Sequence, residues 1–260
     1  MINRDIETLF QQTLVGNYDD DGAWDAVHNL RRIGTEEIFE KAVEWCRSEN
    51  PLMRARGADV LSQLGVDADG RHAFQQESYL IIAELLQEEK DSVTLEAGIT
   101  ALGHLHNPAA IPLIIHHYDH ANENVRFSVA FALGKFADDH RAAAVLLRLM
   151  LDEDCDVRDW ATFGIGDMGS GDTQEIRDAL FERLDDIDSN TRLEAMIGLA
   201  KRKDLRVLPA LFKALDLPEN EKARWGDIEA ACFMLDMEDD NKDWKEADYI
   251  AELRKRFPNV

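Results

Sequence analysis

A chain of 260 residues with 45% hydrophobic and 31% charged side chains carries enough apolar material for a large core, which excludes a disordered polymer. Its 52 acids against 29 bases leave a formal net charge of −23, which excludes nucleic acid as a partner unless a local basic stripe overrides the field. Cys46, Cys155 and Cys232 lie far apart in no metal-like spacing, and no run approaches the roughly eighteen apolar residues of a membrane span. A cytoplasmic protein with no membrane role is therefore expected.

In chain order, residues 1–16 (MINRDIETLFQQTLVG) read as an amphipathic helix with acids in it, followed by no apolar signal core. From Gly22 onward one phrase recurs. Gly22 opens it, with Leu30 and Gly34 in their places, and Met53-Arg54 repeats it with Val60-Leu61 and Gly65. Thr94-Leu95 leads to Ala101-Leu102-Gly103, and Val125-Arg126 to Ala132-Leu133-Gly134. Val157-Arg158 leads to Gly166, and Thr191-Arg192 to Ala200. Successive starts differ by 31, 41, 31, 32 and 34 residues, the period of stacked repeats.

Within each phrase the apolar spacing is helical: Val129, Ala130, Leu133 and Phe136 make one wide stripe. A second helix follows each phrase, as in PAAIPLIIHHYD (108–119) and LRVLPALFKALD (205–216), with Pro108 where a first helical turn tolerates it. Each unit is thus a helical hairpin, with helices A and B. One hairpin cannot cover its own apolar face, so neighbours must stack. The second repeat carries an extra stretch, HAFQQESYL (72–80), before its B helix. The closing pair, KARWGDIEAACFMLD (222–236) and DWKEADYIAELRKRF (243–257), keeps helical spacing without the Val-Arg frame.

The pattern D-x-x-V-R-x-x-A-x-x-A-L-G, followed by a B helix holding V/I-P-x-L, resembles a HEAT repeat of the short bacterial kind found in phycobilin-lyase-like proteins. Asn124 to Gly134, Asp154 to Gly166 and Arg192 to Pro209 carry the resemblance. It implies an all-α, right-handed α-α superhelix of about seven helical hairpins. The organisation expected is a single solenoid over 1–260: a cap helix in 1–16, six repeats in 17–220 and a degenerate capping repeat in 221–260. The resemblance also implies that the Arg of each phrase (Arg54, Arg126, Arg158, Arg192) pairs with an acid of the adjacent repeat, as Arg–carboxylate forks favour. The repeated Gly is expected to let A and B helices turn and pack closely.

Such an array sends its B-to-A loops to one edge and its A-to-B turns to the other. The B-to-A segments comprise 32 residues with 19 acids and one base; the A-to-B turns comprise 33 residues with 11 acids and three bases. Helix caps need an Asp or Asn before each A helix, at about 1 kcal/mol each, but LDEDCD (151–156) and LDDID (184–188) exceed that need. The acids marked as partner-binding are Asp119, Glu123, Asp152, Glu153, Asp154, Asp156, Asp185, Asp186 and Asp188. Trp24, Trp160 and Trp225, early in A helices, are candidate aromatic anchors.

No catalytic residue and no cofactor is expected. No His is followed by Glu, so the iron-holding pairs of HEAT-like deoxyhypusine hydroxylase have no counterpart. LDEDCDVRDW fails as a calcium loop, with Val157 where Gly is required and Phe163 where Glu is required. The one basic cluster, Lys201-Arg202-Lys203, runs directly into Asp204. The function expected is a non-catalytic, monomeric interaction module whose acidic edge meets a basic protein, as an inhibitor or immunity-type protein would. A chromophore lyase or bilin chaperone, and a scaffold without a charge-specific partner, stay open as alternatives.

Overall fold

Helix formation follows the apolar stripe and the caps that bound it. A computed structural model describes residues 4–217, 226–238 and 243–259, and fifteen α-helices lie among them with no strand. Two compact units divide the chain, Met1–Lys135 and Phe136–Val260.

The first unit holds α1 (Arg4–Gln12), α2 (Asp21–Ile33), α3 (Glu36–Cys46), α4 (Pro51–Ser62), α5 (Gln75–Leu86), α6 (Ser92–Leu105), α7 (Ile111–Ile115) and α8 (Glu123–Gly134). Helices α2, α4, α6 and α8 are the A helices, and α4 packs on α6 and α6 on α8. The stripe read from the sequence is what they bury: Leu61, Ile99, Leu102, Val125, Val129 and Leu133 are fully enclosed. The N-terminal helix packs on α2, with Phe10 edge-on to Trp45 at a ring-centroid distance of 4.8 Å. Arg56, without solvent exposure, ties down the turn after α1. Its Nε donates to the Thr13 carbonyl at 2.9 Å, its Nη2 to the Tyr18 carbonyl at 2.5 Å, and its Nη1 to Asp59 at 3.1 Å.

The second unit holds α9 (His140–Leu149), α10 (Cys155–Phe163), α11 (Gln174–Arg183), α12 (Ser189–Lys201), α13 (Leu208–Leu215), α14 (Gly226–Leu235) and α15 (Glu246–Arg256). Its A helices are α10, α12 and α14, again packed in series. A π-helical turn, Gly164–Met168, continues α10.

Two sequence expectations change in detail. At Gly103 and Gly166 the repeated Gly serves contact between neighbouring A helices rather than the A-to-B turn. A Cβ on Gly198 would meet the Gly166 Cα at 2.6 Å, and one on Gly103 would meet the Ala132 Cα at 2.8 Å. The stretch 72–80 is only partly an insertion, since α5 begins at Gln75, whose Nε2 donates to the Leu105 carbonyl at 2.7 Å. Gly34 and Gly65 do mark turns: both take the left-handed backbone, at φ 62°, and the Gly34 N–H closes α2 onto the Leu30 carbonyl.

Candidate functional site

The five B-to-A loops entering α4, α6, α8, α10 and α12 share one construction, set by three side chains. The first is the cap. Asn50, Asp91, Asn122, Asp154 and Asp188 each accept the N–H of a residue two or three further on, at 2.7–3.0 Å. The second sits two residues before the cap and accepts the cap's own N–H. Ser48, Glu89, His120, Asp152 and Asp186 do so at 2.9–3.1 Å. The third is the Arg of the repeated phrase, four residues after the cap, whose Nη1 donates to the two carbonyls before the cap. Arg54 reaches Ser48 and Glu49, Arg126 reaches His120 and Ala121, Arg158 reaches Asp152 and Glu153, and Arg192 reaches Asp186 and Ile187. Repeat three has Leu95 there instead and lacks this brace.

The expected ladder to the neighbouring repeat is seen at Arg54 and Arg158. Arg54 forks onto Glu89 at 2.6 and 2.9 Å, and Arg158 forks onto Asp186 at 3.0 and 2.9 Å. Burial pushes the Asp186 carboxyl up, but hydrogen bonds from Arg158 and the Asp188 N–H outweigh it and hold it below the usual carboxylate range. Arg183 Nη1 adds a further bond to Asp186 at 3.1 Å.

The nine acids marked from the sequence therefore separate into two groups. Asp154 and Asp188 are caps, and Asp152 and Asp186 fold the turn. Asp186 is buried, 9% exposed, with both oxygens engaged, so as a contact residue it is withdrawn. Asp119, Glu123, Glu153, Asp156 and Asp185 are exposed. The positions one and three residues before the cap are the outward-facing ones. They hold Glu49 and Arg47, Lys90 and Glu88, Ala121 and Asp119, Glu153 and Leu151, Ile187 and Asp185 in successive loops, all exposed.

In the second unit the acidity continues from the loops onto the A helices. Burial lifts the Asp159 carboxyl to about 6, with Asp188 and Asp156 adding repulsion, and one of its oxygens is enclosed without a hydrogen-bond partner. Burial likewise lifts Glu194 to about 7, reinforced by Asp159, Asp167 and Glu229. Sequence reasoning missed both, because each sits in an A helix whose other residues serve packing. The signal available was an acid two or three places after the frame's first residue, inside the apolar stripe.

The aromatic candidates divide as well. Trp24 lies edge-on to Tyr18 with ring centroids 5.9 Å apart, and the Arg31 and Arg56 guanidinium groups stand over its face at 5.6 and 5.2 Å, so it belongs to the clamp on the N-terminal turn. Trp160 is half-buried, edge-on to Phe163 at 5.6 Å, beside Asp159 on α10. Trp225 lies outside the described residues.

The basic cluster is consumed internally. Lys201 pairs with Asp167 at 2.5 Å and Lys203 with Asp236. Arg202 is buried and donates to five carbonyls, those of Ile165, Gly166, Gly169, Gly171 and Gly198. Burial lowers His104 to about 4, with Arg31 and Lys135 adding to it, and its ring bonds Gln63 at 2.8 Å. Among the described residues no group of three or more His, Cys, Asp or Glu side chains is arranged to hold a metal ion. No described helix is long and apolar enough to cross a membrane.

The family model described as HEAT repeats matches residues 80–166 and 150–232, together more than half of the chain. Protein YibA of Escherichia coli strain K12 is 31% identical over 193 residues, 72% of this chain and 66% of that protein. The chain thus spans just under two thirds of that curated relative in the aligned region. In structure, the X-ray model of YibA covers 99% of this chain and 93% of its own, at a TM-score of 0.71 and 26% identity. The complex of CpcE and CpcF, phycocyanin lyase from Nostoc sp. PCC7120, covers 96% and 94% at a TM-score of 0.52 and 16% identity, a likeness of fold alone.

Proposed function

The chain belongs to the HEAT-repeat family, and from that premise we propose that it binds another protein through the acidic loop edge of its repeats, against a basic surface of that partner. The observation that carries this reading is the surplus of acid left after the fold has taken what it needs. Caps and turn braces account for Asp152, Asp154, Asp186 and Asp188, while Asp156 and Asp185 stay in solvent beside them. Asp159 and Glu194 are held where burial and like charge oppose their ionisation. A cationic surface laid over this region would offset that repulsion, and its approach would be steered by a field of net charge −23. The finer reading is an inhibitor or immunity-type role, in which the module covers the basic working surface of a toxin or nuclease.

The test is an affinity capture with the wild-type chain and with a variant carrying Glu153→Gln, Asp156→Asn and Asp185→Asn. The reading expects one basic protein retained by the wild type at low salt, released at high salt, and lost by the variant. A partner held equally by both chains at both salt concentrations refutes it. The lyase alternative shares only its fold with CpcE and CpcF, and an absorbance change on mixing the chain with a bilin would favour it instead.

A further inference from the structure

The loop edge of the second unit is not purely acidic. Ile187 is 91% exposed and Leu151 is 66% exposed. Each occupies an outward-facing position of the braced turn, Ile187 one residue before the cap of α12 and Leu151 three residues before the cap of α10. Nothing in the turn asks for an apolar side chain at either place. Glu49, Lys90, Ala121 and Glu153 fill the position of Ile187 in the other loops, and Arg47, Glu88, Asp119 and Asp185 fill that of Leu151. The bonds that shape the turn come from the cap, the residue two before it and the Arg, so these two apolar side chains contribute nothing to its geometry. Leaving them in water forgoes burial, and on this edge they offer apolar contact beside the acids.

Their neighbours define what would cover them. Glu153 and Asp156 flank Leu151, and Asp185 flanks Ile187, all exposed. The two loops belong to successive repeats, whose helix layers pack about 8–10 Å apart. We propose that this edge docks a basic amphipathic segment of a protein partner, whose apolar side chains meet Leu151 and Ile187 while its lysines or arginines meet Glu153, Asp156 and Asp185. The inference rests on the basic-surface reading above and sharpens it. A partner with charge alone would satisfy the acids but leave the two hydrophobes wet, so the segment must carry both.

Two labelled peptides of equal length and equal lysine content test this against the full chain by fluorescence anisotropy at low salt. One has leucines between its lysines and the other has serines. The leucine peptide is expected to bind about tenfold more tightly, a difference of about 1.4 kcal/mol. The double variant Leu151→Ser, Ile187→Ser should bring it down to the level of the serine peptide, whose own affinity stays the same. Both residues are exposed, so thermal unfolding of the variant should match the wild type. Val15→Ser, at another site 67% exposed, should leave the leucine preference intact. Equal affinities of the two peptides for the wild type overturn this inference and leave the charge reading standing. So does a preference that survives the double variant, or one that Val15→Ser also removes. Failure of both peptides to bind overturns the basic-surface reading itself.

Discussion

Replacing Glu194 by Gln tests whether the second unit tolerates acid that its own fold disfavours. The Glu194 carboxyl is lifted from an ordinary 4.5 to about 7, chiefly by burial, with Asp159, Asp167 and Glu229 adding repulsion and Lys201 opposing it. At 1.36 kcal/mol per pH unit, that lift corresponds to about 3 kcal/mol against the ionised form, before allowance for water. The side chain is only partly enclosed, so solvent screening reduces the usable figure to about 1–2 kcal/mol. Between pH 4.5 and 7 the native chain holds a proton at this site that the unfolded chain has released. The site's contribution to stability is therefore fully present below pH 4.5 and is lost as pH rises through 7. Glutamine keeps the shape and never ionises. Glu194→Gln should thus be about 1–2 kcal/mol more stable than the wild type at pH 8 and close to it at pH 4.5. Urea unfolding followed by circular dichroism at both pH values reads the difference, as a shifted midpoint at unchanged slope. A variant less stable at pH 8, or one whose gain is the same at pH 4.5, would refute the argument that ionisation of a half-buried carboxylate carries the cost.

Two further substitutions test the architecture. Arg158→Met removes the fork to Asp186 and the brace on the Asp152 and Glu153 carbonyls, leaving a buried carboxylate with Arg183 as its remaining cation. A loss of about 3–5 kcal/mol is expected in urea unfolding, and a loss under 1 kcal/mol would mean that the ladder is not structural. Gly198→Ala drives a methyl group to 2.6 Å from the Gly166 Cα and should cost about 1–3 kcal/mol, while Gly22→Ala, with nothing within 4 Å, should be neutral or gain a few tenths. Thermal unfolding of the pair checks this, and equal shifts would undo the claim that the glycines are there for helix contact.

The frame was legible because it is made of side chains that act within one turn or one repeat. Val-Arg, the cap and the small residue nine places on each do their work at a fixed offset, so spacing located α8, α10 and α12, while the resemblance to HEAT repeats implied the forks seen at Arg54 and Arg158. What spacing could not supply was the identity of the acids that those forks consume. Asp185 and Asp186 are adjacent and alike in sequence, yet one is exposed and the other is buried, because Arg158 and Arg183 converge on only one of them. The B helices blur for a different reason. Residues 108–119 and 205–216 read as single helices, but each opens with a 3-10 turn, and α7 and α13 have Pro112 and Pro209 in their first turns, where a missing N–H breaks no bond. Asp159 and Glu194 escaped notice because their cost arises chiefly from burial in the packed array, with acids of the neighbouring repeat adding to it, and no local window contains either.

The braced turn also explains how such an array can carry a specific surface at no cost to its fold. Three positions do the folding: the cap, the residue two before it and the Arg four after it. Their bonds recur in loops whose two remaining positions have nothing in common. Glu49 and Arg47, Ala121 and Asp119, and Ile187 and Asp185 occupy the same places on turns of the same construction. Substitutions there change what the edge presents without touching the bonds that hold it. Acid at the cap is therefore weak support for a partner, since a helix N-terminus explains it. An exposed acid or apolar side chain at the outward positions has no such explanation, and it is there, at Asp185, Leu151 and Ile187, that the proposed contact with a partner would act on the choice of residue.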